Sequence, residues 1–324
     1  MIKITSFDKN HLEEAQKIAA MNYSEERIFV SSLPDIAHLP GLEHYAENNL
    51  GVAAIGDNKL LGYLCWHNPW DGLFGTVKGT CSDVHMNGAV KENRAEIYDR
   101  LYQAAAEIWV AGDVFSHCVI LYEHNEEANL ALAQNGFGRR CVDAIRETTS
   151  IDVPVIEDVT YRQANIDDTA FITMMGDNTG IHLSKSPIFM PYSRPAPEDN
   201  IEDIENHFIA LLKGRPVAYL YINDSGETFA SKDASVMNIC GANALPEARG
   251  KGISAGLLSW LMDWLRECGY SRCGVDYEIF NPTARKFWAK YFTPYTNGAV
   301  RRIDERINHN KAHAPNSTKS AINP

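Results

Sequence analysis

The sequence predicts an α+β protein built from two copies of one domain, and three observations predict it. Strand-like and helix-like segments alternate along both halves of the 324-residue chain. Their order repeats at one offset: the Asn-x-x-Ala motifs at Asn125 and Asn281 (281 − 125 = 156) agree with the hairpin positions Gly62 and Ala218 (218 − 62 = 156). The helix-stopping glycines Gly112 and Gly269 fall within one residue of that offset. Finally, Ser235 to Cys268 reads as strand, glycine turn and helix, a construction that presents free backbone N–H groups to an anion.

In order, Met1 to Ser6 alternates as a strand, and His11 to Met21 sets Leu12, Ala15, Ile18 and Ala19 on one side of a helix. Gly51 to His67 reads as a hairpin turning at Gly56-Asp57-Asn58, and Val77 to Met86 as one further strand. Asn93 to Ala111 is a helix with Ile97, Leu101, Ala105 and Ile108 in register. A strand from His117 to Tyr122, a short helix after Asn125 and a strand from Arg140 to Glu147 complete the first copy. The second copy repeats this with a strand at Val159 to Gln163, a helix at Asp167 to Met175, a hairpin from Phe208 to Ile222, the glycine-turn unit, and a last strand at Val300 to Ile307. Periodicity lapses near Thr149 to Ile156, around Pro154. The expected division is 1–150, 155–308, and a polar, aperiodic tail at 309–324 expected to be disordered.

The glycine turn is the most informative stretch. Val236 to Cys240 is an apolar strand, Glu247-Ala248-Arg249-Gly250-Lys251-Gly252 a turn, and Ile253 to Cys268 an amphipathic helix. Gly250 and Gly252 carry no Cβ, so a diphosphate can approach the main chain, and Arg249 and Lys251 bring charge of the right sign. A turn reading RGKG is common on surfaces; its continuation is more specific. A strand at Arg272 to Phe280 leads into Asn281-Pro282-Thr283-Ala284, which opens a second helix. This arrangement resembles the Gcn5-related N-acetyltransferase (GNAT) superfamily. The resemblance implies two GNAT domains, each a mixed, mostly antiparallel sheet flanked by helices, packed as a pseudo-dimer. It implies acetyl-CoA as co-substrate, its pyrophosphate on Arg249, Gly250, Lys251, Gly252, Ile253 and Ser254. Its pantetheine arm would lie along Ala242, Asn243 and Ala244 and against Asn281. Where this family turn begins with Gln or Arg, the chain has Glu247. The first copy has His85 to Asn93 at the turn and no Gly-x-Gly, so it is expected to be degenerate.

Acyl transfer to an amine needs a proton acceptor and stabilisation of the oxyanion. Asp276 and Glu278 lie two apart on one strand, hence on one face; Glu278, nearer the strand's C-terminal end, is the first choice of base and Asp276 the second. Either also suits holding a cationic substrate. Asn281 before Pro282 is a ready N-cap whatever else it does. The resemblance places a Tyr acid at position 288, where this chain has Trp, so the acid is unassigned; Tyr291 and Tyr295 lie nearby in an aromatic run that suits packing. Cys240 is expected to be a buried strand cysteine with nothing beside it in sequence to activate it. Tyr192, Glu198, Asp199 and Glu202, in a Pro-rich segment, are candidate acceptor contacts set against solvated loop residues.

With 30 Lys and Arg against 42 Asp and Glu, the chain carries a net charge of −12, which disfavours nucleic acid and anionic membrane and favours a cationic partner. Seven cysteines show no C-x-x-C pair, so no zinc module is expected, and no metal. Without a signal-like N-terminus or a long apolar stretch, the expectation is a cytoplasmic enzyme, monomeric with an internal pseudo-dimer or homodimeric. The expected function is direct acetyl transfer to the amine of a small, cationic molecule. Two rivals stand beside it: a non-catalytic acyl-CoA sensor, motivated by Trp288, and an aminoacyl-tRNA-dependent transferase, which the acidic balance opposes.

Overall fold

A computed structural model describes residues 2–193 and 203–311. The first half runs β1 (Lys3–Ser6), α1 (Leu12–Phe29), α2 (Glu43–Glu47), β2 (Gly51–Gly56), β3 (Lys59–Cys65), β4 (Gly79–Ser82), β5 (Asn87–Ala89), α3 (Arg94–Ala111), β6 (Ser116–Tyr122), α4 (Glu126–Gln134) and β7 (Gly138–Glu147). The second repeats it as β8 (Val159–Gln163), α5 (Thr169–Leu183), β9 (His207–Leu212), β10 (Arg215–Asn223), β11 (Val236–Ala244), α6 (Ile253–Glu267), β12 (Arg272–Glu278), α7 (Pro282–Trp288), β13 (Thr293–Pro294) and β14 (Thr296–Arg302), then α8 (Arg306–Lys311). Apolar spacing explains the principal helices: on α6, Leu257, Leu258, Leu261 and Leu265 are all buried, and pack with Phe208 and Val217 of the hairpin below.

The sheets join the halves. A four-stranded sheet runs β1-β2-β3-β5, and a long sheet runs β4-β6-β14-β7-β12-β11-β10-β9-β8. Among the described residues, β4 with β6 and β11 with β12 pair in parallel, and the other strand pairs are antiparallel. The last strand of each half is exchanged: β14 lies against β6 of the first half, and β7 lies against β12 of the second. The exchanged strands meet each other through Gly298 and Cys141, positions one repeat apart. A Cβ at Gly298 would stand 2.3 Å from the Cys141 sulfur, so a larger residue there would have to push the Cys141 side chain aside. A shared core closes it, with Tyr23, Val30, Leu33, Val84 and Tyr122 from one half and Ala230, Val236 and Tyr295 from the other.

The helix expected over His11 to Met21 runs on to Phe29 as α1, and three further expectations change. Val77 to Met86 is not one strand: the chain turns at Asp83 to Met86 (Met86 N–H to Asp83 carbonyl, 2.8 Å), and β4 and β5 enter different sheets. The helix expected to stop at Met175 continues to Leu183, because Gly180 does not break it but receives the ring of Tyr192, which a Cβ would meet at 2.1 Å. The last strand ends at Arg302, where an Asp304 turn starts α8 instead. Of the tail expected to be disordered from 309, residues 309–311 belong to α8, and 312–324 lie outside the described residues.

Candidate active site

Strand β11 is held on both sides only at its beginning. It pairs with β12 from Val236 to Ile239, while its pairing with β10 continues to Ala244. From Cys240 onward β11 and β12 part, and Ala242, Asn243 and Ala244 line the opening. Asn243 is fixed by donating to the Thr179 hydroxyl on α5 (2.9 Å), and its carbonyl oxygen accepts from the Ala244 N–H (2.8 Å).

The glycine turn follows directly. Gly250 and Gly252 have φ of +72° and +81°, a left-handed backbone that L side chains resist. Nothing lies within 4 Å of where a Gly250 Cβ would be, so the turn is open outward. Gly252 caps α6 without any side-chain hydrogen bond, which leaves the first N–H groups of a 15-residue helix available to an anion. Lys251 is exposed, whereas Arg249 folds back, its Nε donating to the Ala244 carbonyl at 2.9 Å. Ile253 is buried in the core, so only its backbone can serve a ligand; Ser254 is half-buried. These residues fit a diphosphate carried by main-chain groups.

Where β11 and β12 part, a cavity of about 310 Å³ opens. Asn238 and Cys240 of β11, Gly274 and Asp276 of β12, Glu227 and Ser231 of the preceding loop, and Asp143 and Tyr295 line it. Asp276 opens to solvent through the cavity mouth while standing in a crowded recess. Burial pushes its carboxyl up to about 6, and the Glu227 charge adds to this. Asp143 is 8% exposed; burial pushes it up to about 7, with Asp276 and Glu227 adding and the Thr296 hydrogen bond opposing. Among the described residues no ion pair neutralises Asp143, Asp276 or Glu227. The cavity is an acidic recess.

Residues 180–292 match the acetyltransferase (GNAT) family. The C-terminal half therefore carries a GNAT-family domain. A GCN5-related N-acetyltransferase from Sphaerobacter thermophilus shares the fold over 93% of this chain and 95% of its own, with a TM-score of 0.52 at 11% identity. The overlap spans both halves, so the fold of both is shared with that structure. A GCN5-related N-acetyltransferase from Kribbella flavida (13% identity, 90% of this chain and 98% of that one, TM-score 0.45) and a GNAT-family acetyltransferase from Colwellia psychrerythraea (15%, 93% and 100%, 0.45) are also similar. No curated protein matches the chain. The family performs acyl transfer, and acetyl-CoA is its co-substrate.

Of the two candidate bases, the fold separates them. Glu278 pairs with Arg140 at 3.1 Å, and Arg140 itself lies 4.1 Å from the Phe74 ring centre. Burial raises the Glu278 carboxyl, Arg140 opposes the rise, and its Oε2 is buried without a hydrogen bond. Asp276 alone of the two faces the cavity. Asn281 caps α7, accepting from Thr283 and Ala284 N–H groups at 3.2 and 3.3 Å, and His182 of α5 reaches its side chain at 3.3 Å. Trp288 is buried against Phe287 and Phe292. Tyr295 lines the cavity, but its hydroxyl is held by Thr228 at 2.7 Å.

Cys240 is not buried in a strand as expected; it opens on the cavity. Its thiol is nevertheless raised to about 11, by burial first and then by Asp276 and Glu227, so it is no thiolate near neutral pH. Tyr192 donates to Asp177 of α5 at 2.7 Å, while Glu198, Asp199 and Glu202 lie outside the described residues. Asp143, Glu227 and Ser231 are the lining residues that sequence reasoning missed. The described residues contain no His, Cys, Asp and Glu group able to hold a metal, and no described helix is long and apolar enough to cross a membrane.

In the first half the corresponding opening is filled. Asn87, 3% exposed, donates to Ser82, to the Asp83 carbonyl and to the Ile120 carbonyl on β6, and accepts from Tyr98. At the start of α3, Arg94 is bound to the Val90 carbonyl and to Glu25. Leu73, Cys81 and Cys118 pack with Ile120 and Val300 where the second half keeps its cavity. With its donors and acceptor engaged, this buried amide has no free group to offer a ligand.

Proposed function

We propose that this protein transfers an acetyl group from acetyl-CoA to the amine of a small cationic molecule, directly and at one site in the C-terminal half. The parting of β11 from β12, with an open glycine turn at one end and an acidic cavity at the other, carries this reading. Bound acetyl-CoA supplies the acyl group as an activated thioester. The backbone of Gly250, Lys251 and Gly252 and the N-terminus of α6 hold the diphosphate, and Ala242 to Ala244 and Asn281 border the arm. Glu227, Asp276 and Asp143 draw in the ammonium. Asp276, accessible and with a proton affinity near neutrality, takes one proton from it and frees the nitrogen lone pair. Cys240, held as a thiol, does not compete as an acyl acceptor, which favours direct transfer.

Residues 1–150 and 155–308 are proposed as the two domains, the protein as intracellular, and tRNA and membrane as non-partners. Thiol release from acetyl-CoA, followed with monoamines, diamines and neutral nucleophiles, tests the activity. Acceleration by cationic amines is expected. No acceleration by any amine, with coenzyme A still bound, would make the protein a sensor.

A further inference from the structure

The cavity contains one carboxylate that the C-terminal half does not own. Asp143 sits on the exchanged strand β7, and the antiparallel register places it directly opposite Asp276 on β12. Cross-strand partners stand about 4.5–5.5 Å apart at Cβ, and like charges so placed repel. Its position is fixed: the Thr296 hydroxyl donates to Asp143 Oδ2 at 2.5 Å and accepts the Asp143 N–H at 2.8 Å, while Tyr295 N–H holds its carbonyl at 2.9 Å. The groups that face the pair are Glu227 from the β10–β11 loop, Cys240 from β11, Tyr295 beside β14, and Asp83 from the first half. Glu278 lies one pleat away and is already neutralised by Arg140. None of these is a cation, so among the described residues no positive charge relieves the two facing carboxylates, and the Thr296 hydroxyl offsets only part of the Asp143 charge.

We propose that Asp143 and Asp276 form one proton-sharing dyad, so that the N-terminal half supplies half of the base used by the C-terminal half. Two enclosed, adjacent carboxylates bind their first proton jointly and more tightly than either would alone. The Asp276 charge helps to raise the Asp143 carboxyl, behind burial, to about 7, whereas the rise of Asp276 to about 6 comes from burial and Glu227. In the reaction an ammonium N–H bond breaks, the electron pair stays on nitrogen, and the proton passes to an Asp276 oxygen, where Asp143 shares its stabilisation. Asp143 is thus a positioning residue acting through Asp276. Its part in catalysis rests on the acetyl-transfer reading; the coupling does not.

The test is a pH titration of carbon-13-labelled aspartate carboxyls by NMR in the full chain, wild type, Asp143→Asn and Asp276→Asn. Two carboxyls should titrate above the ordinary aspartate range, each signal vanishing in its own variant. In Asp143→Asn the Asp276 titration should fall by about one pH unit. Should that variant not fold, Asp276→Asn reads the same coupling from Asp143. An unchanged survivor would overturn the dyad. The rising limb of kcat/KM against pH should move down with Asp143→Asn, and an unmoved limb would overturn the part of Asp143 in the base. Coupled titration without acetyl transfer to any amine would uphold the dyad and remove the reaction; transfer with independent titrations would do the reverse.

Discussion

Asp276 and Glu278 are two residues apart on one strand face, yet the fold gives them different neighbours. Glu278 has Arg140; Asp276 has two further carboxylates and a cavity. Asp276→Asn should therefore lower kcat by roughly 10²–10⁴ while calorimetry shows coenzyme A affinity unchanged. Glu278→Gln should leave kcat near its original value and instead cost about 1–3 kcal/mol of stability, by leaving the enclosed Arg140 without its charge partner. A dead Glu278→Gln with normal Asp276→Asn would return the base to Glu278. The sign of the pH effect on stability follows from Asp143. Its folded affinity is raised to about 7 from an ordinary 3.8, so the folded chain binds the extra proton and loses stability as pH rises through that window. Asp143→Asn should raise Tm at pH 7.5, with a smaller gain at pH 4.5; an equal or opposite change at both would show that burial of its charge is not costly. Asp276 was legible because it sits in the strand leading to Asn281. Asp143 was not, since no local pattern says that residue 143 will lie opposite residue 276.

At the scale of elements, the glycine turn could be read because its chemistry is local: glycines, flanking cations and an amphipathic helix follow one another in sequence. Gly252→Asp would place a side chain and a negative charge on a left-handed residue at the end of α6, and should abolish coenzyme A binding. Asn281→Ala should cost about 1 kcal/mol through loss of the α7 cap. If Asn281 also borders the pantetheine arm, calorimetry should show weaker coenzyme A binding as well; unchanged affinity would leave Asn281 a cap alone. Element ends were harder to read where tertiary contacts override local signals. Gly176, Thr179 and Gly180 look like helix breakers, but α5 runs through them because Ile172 and Met175 anchor it and Tyr192 fills the space over Gly180.

At the scale of the molecule, the repeat was visible as a constant offset, but the exchange of last strands was not. β7 and β14 each carry one continuous buried run, and such a run does not choose between two sheets. The exchange makes the halves interdependent: without residues 1–150, β12 loses its neighbour β7 and the shared core loses Tyr23, Val30 and Leu33. Residues 151–324 alone should be poorly soluble and inactive. Co-expression with 1–150 should restore both, read by soluble yield and thiol release. A soluble, fully active 151–324 fragment would show that the first half is dispensable.

The central claim is one cofactor site per chain, built in the second half and filled in by Asn87 in the first. Calorimetric titration of the intact chain with coenzyme A tests it most directly. The account predicts a stoichiometry of one and no binding to Gly252→Asp; two equivalent sites, or normal binding by Gly252→Asp, would contradict it.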